Sequence, residues 1–504
     1  MEASSSPVFA QVLERVQSAL PSNQPIYLVG GAVRDALLGR PTHDLDFVLS
    51  GNVLAVARRI ANRLGGAFYV LDEERETGRV ILQDREGKRE TLDFAALRGA
   101  DLESDLQARD FTINAMAVPT TSLHKLIDPL HGLEDLRSGE IRACSDTTFQ
   151  DDPVRILRAV RQASALNFRI VSQSQAQMRS ATRHLENTSP ERLRDEIFRI
   201  FEGLQPATAL RALDILGALQ PLFPELQLLK GVVQSPPHQY DVWEHSLKAV
   251  EKLESILEVL AYPFDPQTAE NLALGTVSLL LGRFREQISE HLARNFTPER
   301  TLRQLLFFIA LYHDTGKPET RSLDKNYRIR FFGHEDRGAE IAVERARALR
   351  LSNEEVARIE TVTNHHLRPT LLAQIGALPS SRAIYRFFRD TGSAGVDVCL
   401  LSLADKLATY GSALPQEAWA NHVEVVRALL EAWWEKHEEE VTPPALVNGR
   451  DLMGTLGLQP GPLIGDLLEG IREAQAAGDV KNRRQALEWA QRRLKEQEED
   501  QDLV

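Results

Sequence analysis

Thr42-His43-Asp44-Leu45-Asp46-Phe47-Val48-Leu49 sets two carboxylates on alternate positions of an otherwise apolar run. In a strand, residues two apart face the same way, so Asp44 and Asp46 look to one side while Leu45 and Phe47 enter a core. Carboxylates placed like this can hold a pair of Mg²⁺ ions. At a spacing of about 3.5–4 Å such ions clamp the attacking and leaving oxygens of an in-line phosphoryl or nucleotidyl transfer. Just upstream, the apolar strand Ile26-Tyr27-Leu28-Val29 runs into Gly30-Gly31-Ala32-Val33-Arg34-Asp35. The glycines let backbone N–H groups approach a triphosphate, and a helix opening near Ala32 turns its positive end toward the same anion. Downstream, Thr91-Leu92-Asp93-Phe94-Ala95 offers Asp93 as a third carboxylate.

Around these segments Ala67 to Leu71 and Arg79 to Gln83 read as further short strands and Val53 to Leu64 as a helix, so the first 145 residues or so predict a small mixed sheet backed by helices. From Asp151 onward the apolar period becomes helical. Val154, Leu157, Ala159-Val160 and Leu166 form one stripe, and Leu193, Ile197 and Ile200-Phe201 another. Prolines at 221, 224 and in Ser235-Pro236-Pro237 punctuate a boundary near residue 230, and Thr442-Pro443-Pro444 another. The remainder is expected to be almost entirely α-helical. At 504 residues the chain is long enough for three or four domains.

No apolar run approaches the roughly 20 residues of a membrane span. Met1-Glu2-Ala3-Ser4-Ser5-Ser6 lacks the charged and apolar regions of a signal peptide, so a cytoplasmic location is expected. Two cysteines, Cys144 and Cys399, exclude a disulfide framework and read as buried small apolar residues. A net charge of −13 confines any nucleic-acid contact to local patches. One such patch holds Arg155, Arg158, Arg161, Arg169, Arg179, Arg183, Arg192, Arg194 and Arg199. The acidic run Glu496-Gln497-Glu498-Glu499-Asp500 reads as a solvated tail.

Asp151-Asp152-Pro153-Val154-Arg155 places Asp152 and Arg155 three apart at a helix start. An Arg donor beside an Asp acceptor can imitate a base edge that accepts C and A and rejects U and G, because only C and A pair an amino donor with a ring-nitrogen acceptor. An acidic cap on an arginine-rich helix reads from the same spacing.

Taken in order, Gly30-Gly31-x-x-Arg34-Asp35, the Asp44/Asp46 pair, Arg109-Asp110-Phe111-Thr112-Ile113-Asn114, Asp151-Asp152-x-x-Arg155 with Leu157-Arg158-Ala159-Val160-Arg161, and Glu191-Arg192-Leu193-x-x-Glu196 resemble the class II tRNA nucleotidyltransferases and bacterial poly(A) polymerases. The resemblance implies an α+β, multidomain chain with a polymerase-beta-like head followed by an all-α neck. It implies that Asp44 and Asp46 hold Mg²⁺, that Asp93 and Arg98 match the third carboxylate and its following arginine, and that Gly30, Gly31 and Arg34 lie against the nucleotide. Arg109, Asp110 and Asn114 would contact its sugar and phosphates. Asp152 and Arg155 would select its base, Arg158 would bind the nucleotide with them, and Glu191 to Glu196 would brace their helix. CTP, ATP and the tRNA 3′ end are the implied partners. The chain departs from the family pattern at Ala108, at Asp151, and in the short stretch of ten residues between Arg98 and Arg109. Full CCA-adding members are similar to one another in a longer segment here, so the resemblance implies addition of CMP, either as CC alone with a partner enzyme adding A or with AMP added by the same chain. A poly(A) polymerase is the nearest alternative, and a phosphohydrolase using the head as an RNA-binding module is the alternative from another class.

In the second half, Leu311-Tyr312-His313-Asp314-Thr315-Gly316-Lys317-Pro318 can present an imidazole and a carboxylate to one ion, with His245 and Asp405 arriving from other helices. This resembles the HD domain of metal-dependent phosphohydrolases, which implies a divalent transition metal on His245, His313, Asp314 and Asp405, with His334 and His365 as additional ligands and His366 as a substitute for His365. Asn448-Gly449-Arg450-Asp451 and Pro460-Gly461-Pro462 open helices of a tail that would contact either a tRNA phosphate or nothing beyond its own fold. The expected division is residues 1–149 for the head, 150–229 for the neck, 230–412 for the HD domain and 413–504 for the tail.

Overall fold

The computed structural model describes residues 16–19, 24–42, 44–83 and 89–501, with side chains as far as 496. The expectations for Met1–Ser6 and His43 lie outside those residues, and the acidic run beyond Glu496 is described in its backbone alone. The chain forms two compact units: Met1–Glu196 with Ala212–Leu222, and Ile197–Arg211 with Phe223–Val504.

In the first unit β1 (Ile26–Val29), α1 (Gly31–Leu37), β2 (Asp44–Leu49), α2 (Val53–Leu64), β3 (Ala67–Asp72), β4 (Thr77–Gln83), β5 (Arg89–Ala96), α3 (Leu102–Gln107) and β6 (Ala117–Pro119) follow one another. The strands make one mixed sheet in the order β3-β4-β5-β2-β1-β6, in which only β2 and β5 run parallel. Alternation settles the register. Leu45, Phe47, Val80, Leu82, Leu92 and Phe94 are buried on one face, with the Phe47 and Phe94 rings stacked 4.9 Å apart, and α2 buries Val56, Ala57, Ile60 and Ala61 behind β3, β4 and β5. A one-residue slip would turn every one of these strand side chains to the opposite face. Asp44 and Asp46 occupy the alternate positions of β2, away from that core. Strand β6 had no signal in the sequence, since three residues ending in a proline carry too little alternation to be read.

The helices α4 (Arg155–Leu166) and α5 (Pro190–Glu202) follow, α4 ending at Asn167 in the left-handed conformation. In the second unit α6 (Val242–Val259), α7 (Leu302–Tyr312), α8 (His334–Ala348), α9 (Asn353–His365) and α10 (Gly395–Tyr410) form the helical framework. Helix α7 is buried at every position except Arg303, so its apolar run is a core helix. The second half is almost wholly helical, as expected, and its only extended pairs among the described residues after α5 are two short antiparallel ones, Asn295–Thr297 with Arg300–Thr301 and Arg321–Leu323 with Ile329–Phe331. Both are too short to show a two-residue period. Toward the end, α11 (Pro462–Ala476) and α12 (Arg483–Gln501) pack around Leu452, Leu467, Ile471, Val480 and Ala486. Asn448 caps its helix in a reciprocal capping box with Asp451, which accounts for that motif locally. No helix among the described residues is long and apolar enough to cross a membrane. Cys399 is buried as expected, whereas Cys144 is only partly so, resting against the cluster of Val29, Val48 and Leu106.

Candidate active site and metal centre

Parallel pairing of β2 with β5 sets Asp46 opposite Asp93 and Asp44 opposite Thr91, so three carboxylates gather on one face of the sheet. The next strand adds a cation. Arg79 on β4 pairs with Asp93 in register, and its Nε and Nη2 each donate to a different oxygen of Asp93 at 2.8 Å. That hydrogen-bonded clasp, together with the charges of Asp93, Asp44 and Asp46, raises the Arg79 pKa against the opposing effect of burial. Desolvation of the carboxylate by the protein around it, then the charges of Asp93 and Asp44, push the Asp46 carboxyl up to about 6, against the pull of Arg109 and Arg158. A carboxyl crowded in this way gains from a cation held among the three.

Gly30 ends β1 at φ +75°, and a Cβ there would lie 3.2 Å from Asp46 Oδ2 and 3.3 Å from Arg109 Nη1. Only glycine both adopts that backbone and leaves the space. Arg109 is fixed from behind by Asp105, which accepts from its Nε at 3.0 Å and Nη2 at 2.9 Å. Asp105 also accepts from the Arg98 backbone N–H. It sits on α3, whose start is capped by Asp101 and whose Leu106 is wholly buried. The ten-residue stretch between Arg98 and Arg109 is therefore an ordered helical turn.

From Arg34 a chain of side chains runs inward. Arg34 binds Asp35 through two nitrogens, and its Nη1 donates to Asn114 at 2.8 Å and to Gln162 at 3.2 Å. Asn114 Nδ2 donates to Asp110 and to Gln162, each at 3.0 Å. Arg158 grips Asp110 through Nε and Nη2 at 3.0 and 2.8 Å, and Glu196 accepts from Arg158 at 3.4 Å and Arg161 at 2.8 Å. Burial works to raise the Asp110 pKa, but Arg158, Asn114 and the Phe111 N–H outweigh it and hold the group below the usual carboxylate range. The contacts from α5 to the α4 region are thus made by Arg192 and Glu196 rather than Glu191.

Asp152 and Arg155 stand side by side with Arg155 Nε 3.9 Å from Asp152 Oδ2, too far for a hydrogen bond. Arg192 holds that Asp152 oxygen at 2.7 Å, while Arg155 donates to the carbonyls of Ala108, Arg109 and Thr148. Asp152 Oδ1 is buried without a hydrogen-bond partner. The couple is held by its neighbours and not by itself, which leaves one acceptor open. Gln162, Asp105 and Arg79 were not singled out in the sequence. Asp105 could have been found as the i−4 partner of Arg109, whereas Arg79 and Gln162 meet their partners only through strand and helix pairing.

In the second unit His245 lies on α6, His313 and Asp314 follow α7, His334 opens α8 and Asp405 sits on α10. His245, His313 and Asp314 form one compact set of ligand atoms, and Asp314, His334 and His366 another, sharing the Asp314 carboxylate. Asp405 Oδ1 is 3.0 Å from His245 Nε2 and 3.8 Å from His313 Nε2. The histidine that joins is His366 and not His365. Successive helical residues point about 100° apart, so only one of the pair at the end of α9 can face inward. His366 is buried and His365 is half-buried beside Arg368 and Asp390.

The rings are oriented for a cation. Nδ1 of His313, His334 and His366 each faces a backbone carbonyl three residues earlier, at 2.9, 2.7 and 2.7 Å. Their Nε2 atoms, and both ring nitrogens of His245, are buried without a hydrogen bond. Unpartnered buried ring nitrogens gathered around the shared Asp314 carboxylate leave a place that a cation fits. With no cation among them, His366 is driven down to about 3 by burial and the nearby His313 and His334. For His313 burial is overcome by Asp314 and Asp405, which raise it to about 10. Lys317, unmarked in the sequence reading, is buried and donates to Asp314 at 2.6 Å and Gln234 at 2.7 Å. Gly316 permits the packing, since a Cβ there would lie 2.2 Å from the His334 carbonyl oxygen.

A carboxylate-bearing mixed sheet under a glycine turn, an arginine-rich helix behind it, and a separate buried His/Asp centre define a nucleotidyltransferase-type protein with an HD region. Residues 26–142 match the "Poly A polymerase head domain", 167–229 the "Probable RNA and SrmB-binding site of polymerase A", 277–410 the "HD domain" and 440–490 the "tRNA nucleotidyltransferase domain 2 putative" family. The A-adding tRNA nucleotidyltransferase of Deinococcus radiodurans is 32% identical over 92% of this chain and 94% of its own length. The CC-adding tRNA nucleotidyltransferase of Thermus thermophilus is also 32% identical, over 91% of each. The fold is similar to that of the Thermotoga maritima CCA-adding enzyme complexed with tRNA-CCA, at 22% identity, a TM-score of 0.59 and coverage of 97% of this chain and 96% of that one. The chain belongs to the tRNA nucleotidyltransferase and poly(A) polymerase family. The head and HD regions of that family are of kinds that use divalent metals.

Proposed function

We propose that this chain is a template-independent nucleotidyltransferase that joins CMP from CTP to the 3′ end of tRNA in the cytoplasm. The observation that carries the reading is the rung in which Asp46 and Asp93 stand opposite each other, with Asp44 two residues away and Gly30 above. Asp44 and Asp46 hold Mg²⁺ and Asp93 is the third catalytic carboxylate. Mg²⁺ bound there supplies positive charge that acidifies the attacking 3′-hydroxyl and steadies the pyrophosphate that departs. The chain's own residues do the rest. Gly30 and Gly31 bring backbone close to the triphosphate, and Arg34, Asp110 and Asn114, linked through Asn114, together with Arg109, held by Asp105, hold the nucleotide's sugar and phosphates. Asp152 and Arg155 read the base edge, kept apart and oriented by Arg192 and the Ala108 carbonyl, with Arg158 anchoring the helix behind them.

The ordered helix α3 favours CC addition. A stretch pinned by Leu106 and Asp105 has little freedom to reshape the base site from C to A, so a partner enzyme would supply the terminal A. The second reading, addition of A alone, is favoured by the A-adding relative in Deinococcus radiodurans. Tails made on tRNA ending at the discriminator base, after C and after CC, with CTP and ATP supplied singly and together, separate them. CMP on the first two substrates and no AMP on the third is the expected result, and AMP on the third overturns it.

In the HD region His245, His313, Asp314, His334, His366 and Asp405 hold a divalent transition metal and give a phosphohydrolase centre. We assign the head to residues 1–149, the neck to 150–229, the HD domain to 230–412 and a tRNA-binding tail to 413–504.

A further inference from the structure

We propose that Arg79 is a positioning residue of the head site: its guanidinium fork fixes the Asp93 carboxylate in line with Asp46 and, by its charge, weakens cation binding to the free enzyme. The inference rests on the reading of Asp44, Asp46 and Asp93 as the metal-binding centre, and extends it to a residue outside every motif that marked the site. Arg79, Asp93 and Asp46 are consecutive members of one cross-strand rung, so their side chains leave the sheet on one face and at fixed spacing. Both Arg79 contacts are 2.8 Å and go to separate oxygens, the two-point geometry only a guanidinium supplies. Each oxygen of Asp93 keeps a second lone pair. The clasp therefore sets the plane and direction of the carboxylate without occupying all of its ligating capacity. Among three neighbouring carboxylates, Arg79 cancels one negative charge beside the place where a dication would sit.

Orientation and charge pull the observables apart. Removing the fork should misplace Asp93 and slow transfer, while removing the charge should make a more negative site that binds a cation more tightly. A purely structural role would weaken both together. Mn²⁺ titration of the full-length protein, with free ion followed by electron paramagnetic resonance, provides a readout independent of turnover. The binding step abolished in Asp46→Asn identifies the head site against the HD centre. In Arg79→Gln that step is expected to tighten by about tenfold, the effect of a unit charge a few ångströms from a divalent ion in a well-solvated site. The same variant should lose about a hundredfold in kcat for CMP incorporation, the scale of a misplaced catalytic group. Arg79→Lys should bind Mn²⁺ like the parent but regain only part of kcat, since a point charge cannot form the fork. Mn²⁺ binding in Arg79→Gln that is unchanged or weaker, or full kcat in Arg79→Lys, overturns the proposal. Should Asp46→Asn leave every Mn²⁺ step intact, the metal-centre reading itself fails.

Discussion

Replacing Asp110 by Asn removes one charge from the middle of the buried chain between Arg34 and Glu196 while keeping the side chain's shape. The carboxylate accepts from the Phe111 N–H at 2.8 Å, Asn114 Nδ2 at 3.0 Å, and Arg158 Nε and Nη2 at 3.0 and 2.8 Å. An amide offers one acceptor oxygen, and its NH₂ must face donors on either Arg158 or Asn114. Breaking a buried ion pair typically costs about 3–5 kcal/mol, and the surviving contact of Arg158 with Glu196 sets the expected loss near the lower end, ~3 kcal/mol. All five tryptophans, Trp243, Trp419, Trp433, Trp434 and Trp489, lie in the other compact unit, so fluorescence does not follow this one. Amide hydrogen exchange of the peptide containing Phe111 to Asn114 does, and the loss should lower its protection about a hundredfold, at about 1.4 kcal/mol per factor of ten. The pH dependence has a definite sign. Because the folded-state pKa of Asp110 is depressed, its contribution is complete above the unfolded carboxylate value of about 3.9 and is lost as pH falls through the folded value. The deficit of Asp110→Asn relative to the parent should stay constant through the neutral range and narrow on acidification below about pH 4. A loss of protection under about tenfold at neutral pH, or a deficit that widens as pH falls, would refute the reasoning.

Three further outcomes follow from the same geometry. His366→Ala should release the HD-bound metal, measured by elemental analysis of the purified protein, whereas His365→Ala should retain it; equal retention would show that the inward nitrogen of His366 is not a ligand. Since His313 is raised to about 10 in the cation-free protein, metal uptake near neutral pH must displace its proton. Apparent affinity should therefore rise about tenfold per pH unit there, with about one proton released on binding, detectable by calorimetry in buffers of different ionisation heat. Gln162→Leu leaves donors of Arg34 and Asn114 without their shared acceptor, at about 1–3 kcal/mol for a buried donor left unpaired. Its expected signature is a raised KM for CTP with bound HD metal unchanged, and an unaltered KM would remove Gln162 from the site.

Sequence alone determined what could be argued from local period and spacing. The alternation around Asp44 and Asp46 fixed which side chains share a face, the glycine turn and Asp93 followed by the same logic, and ordered motifs carried the family. These survive because backbone geometry dictates them over two to four residues. Tertiary structure decided the partners of those residues. Arg79 meets Asp93 because strand pairing brings residues 14 apart into one rung, and Gln162 meets Arg34 across 128 residues, separations at which no periodic signal survives. It also decided between His365 and His366, because a helix end turns only one of two adjacent rings inward, and which one depends on how that helix packs against its neighbours.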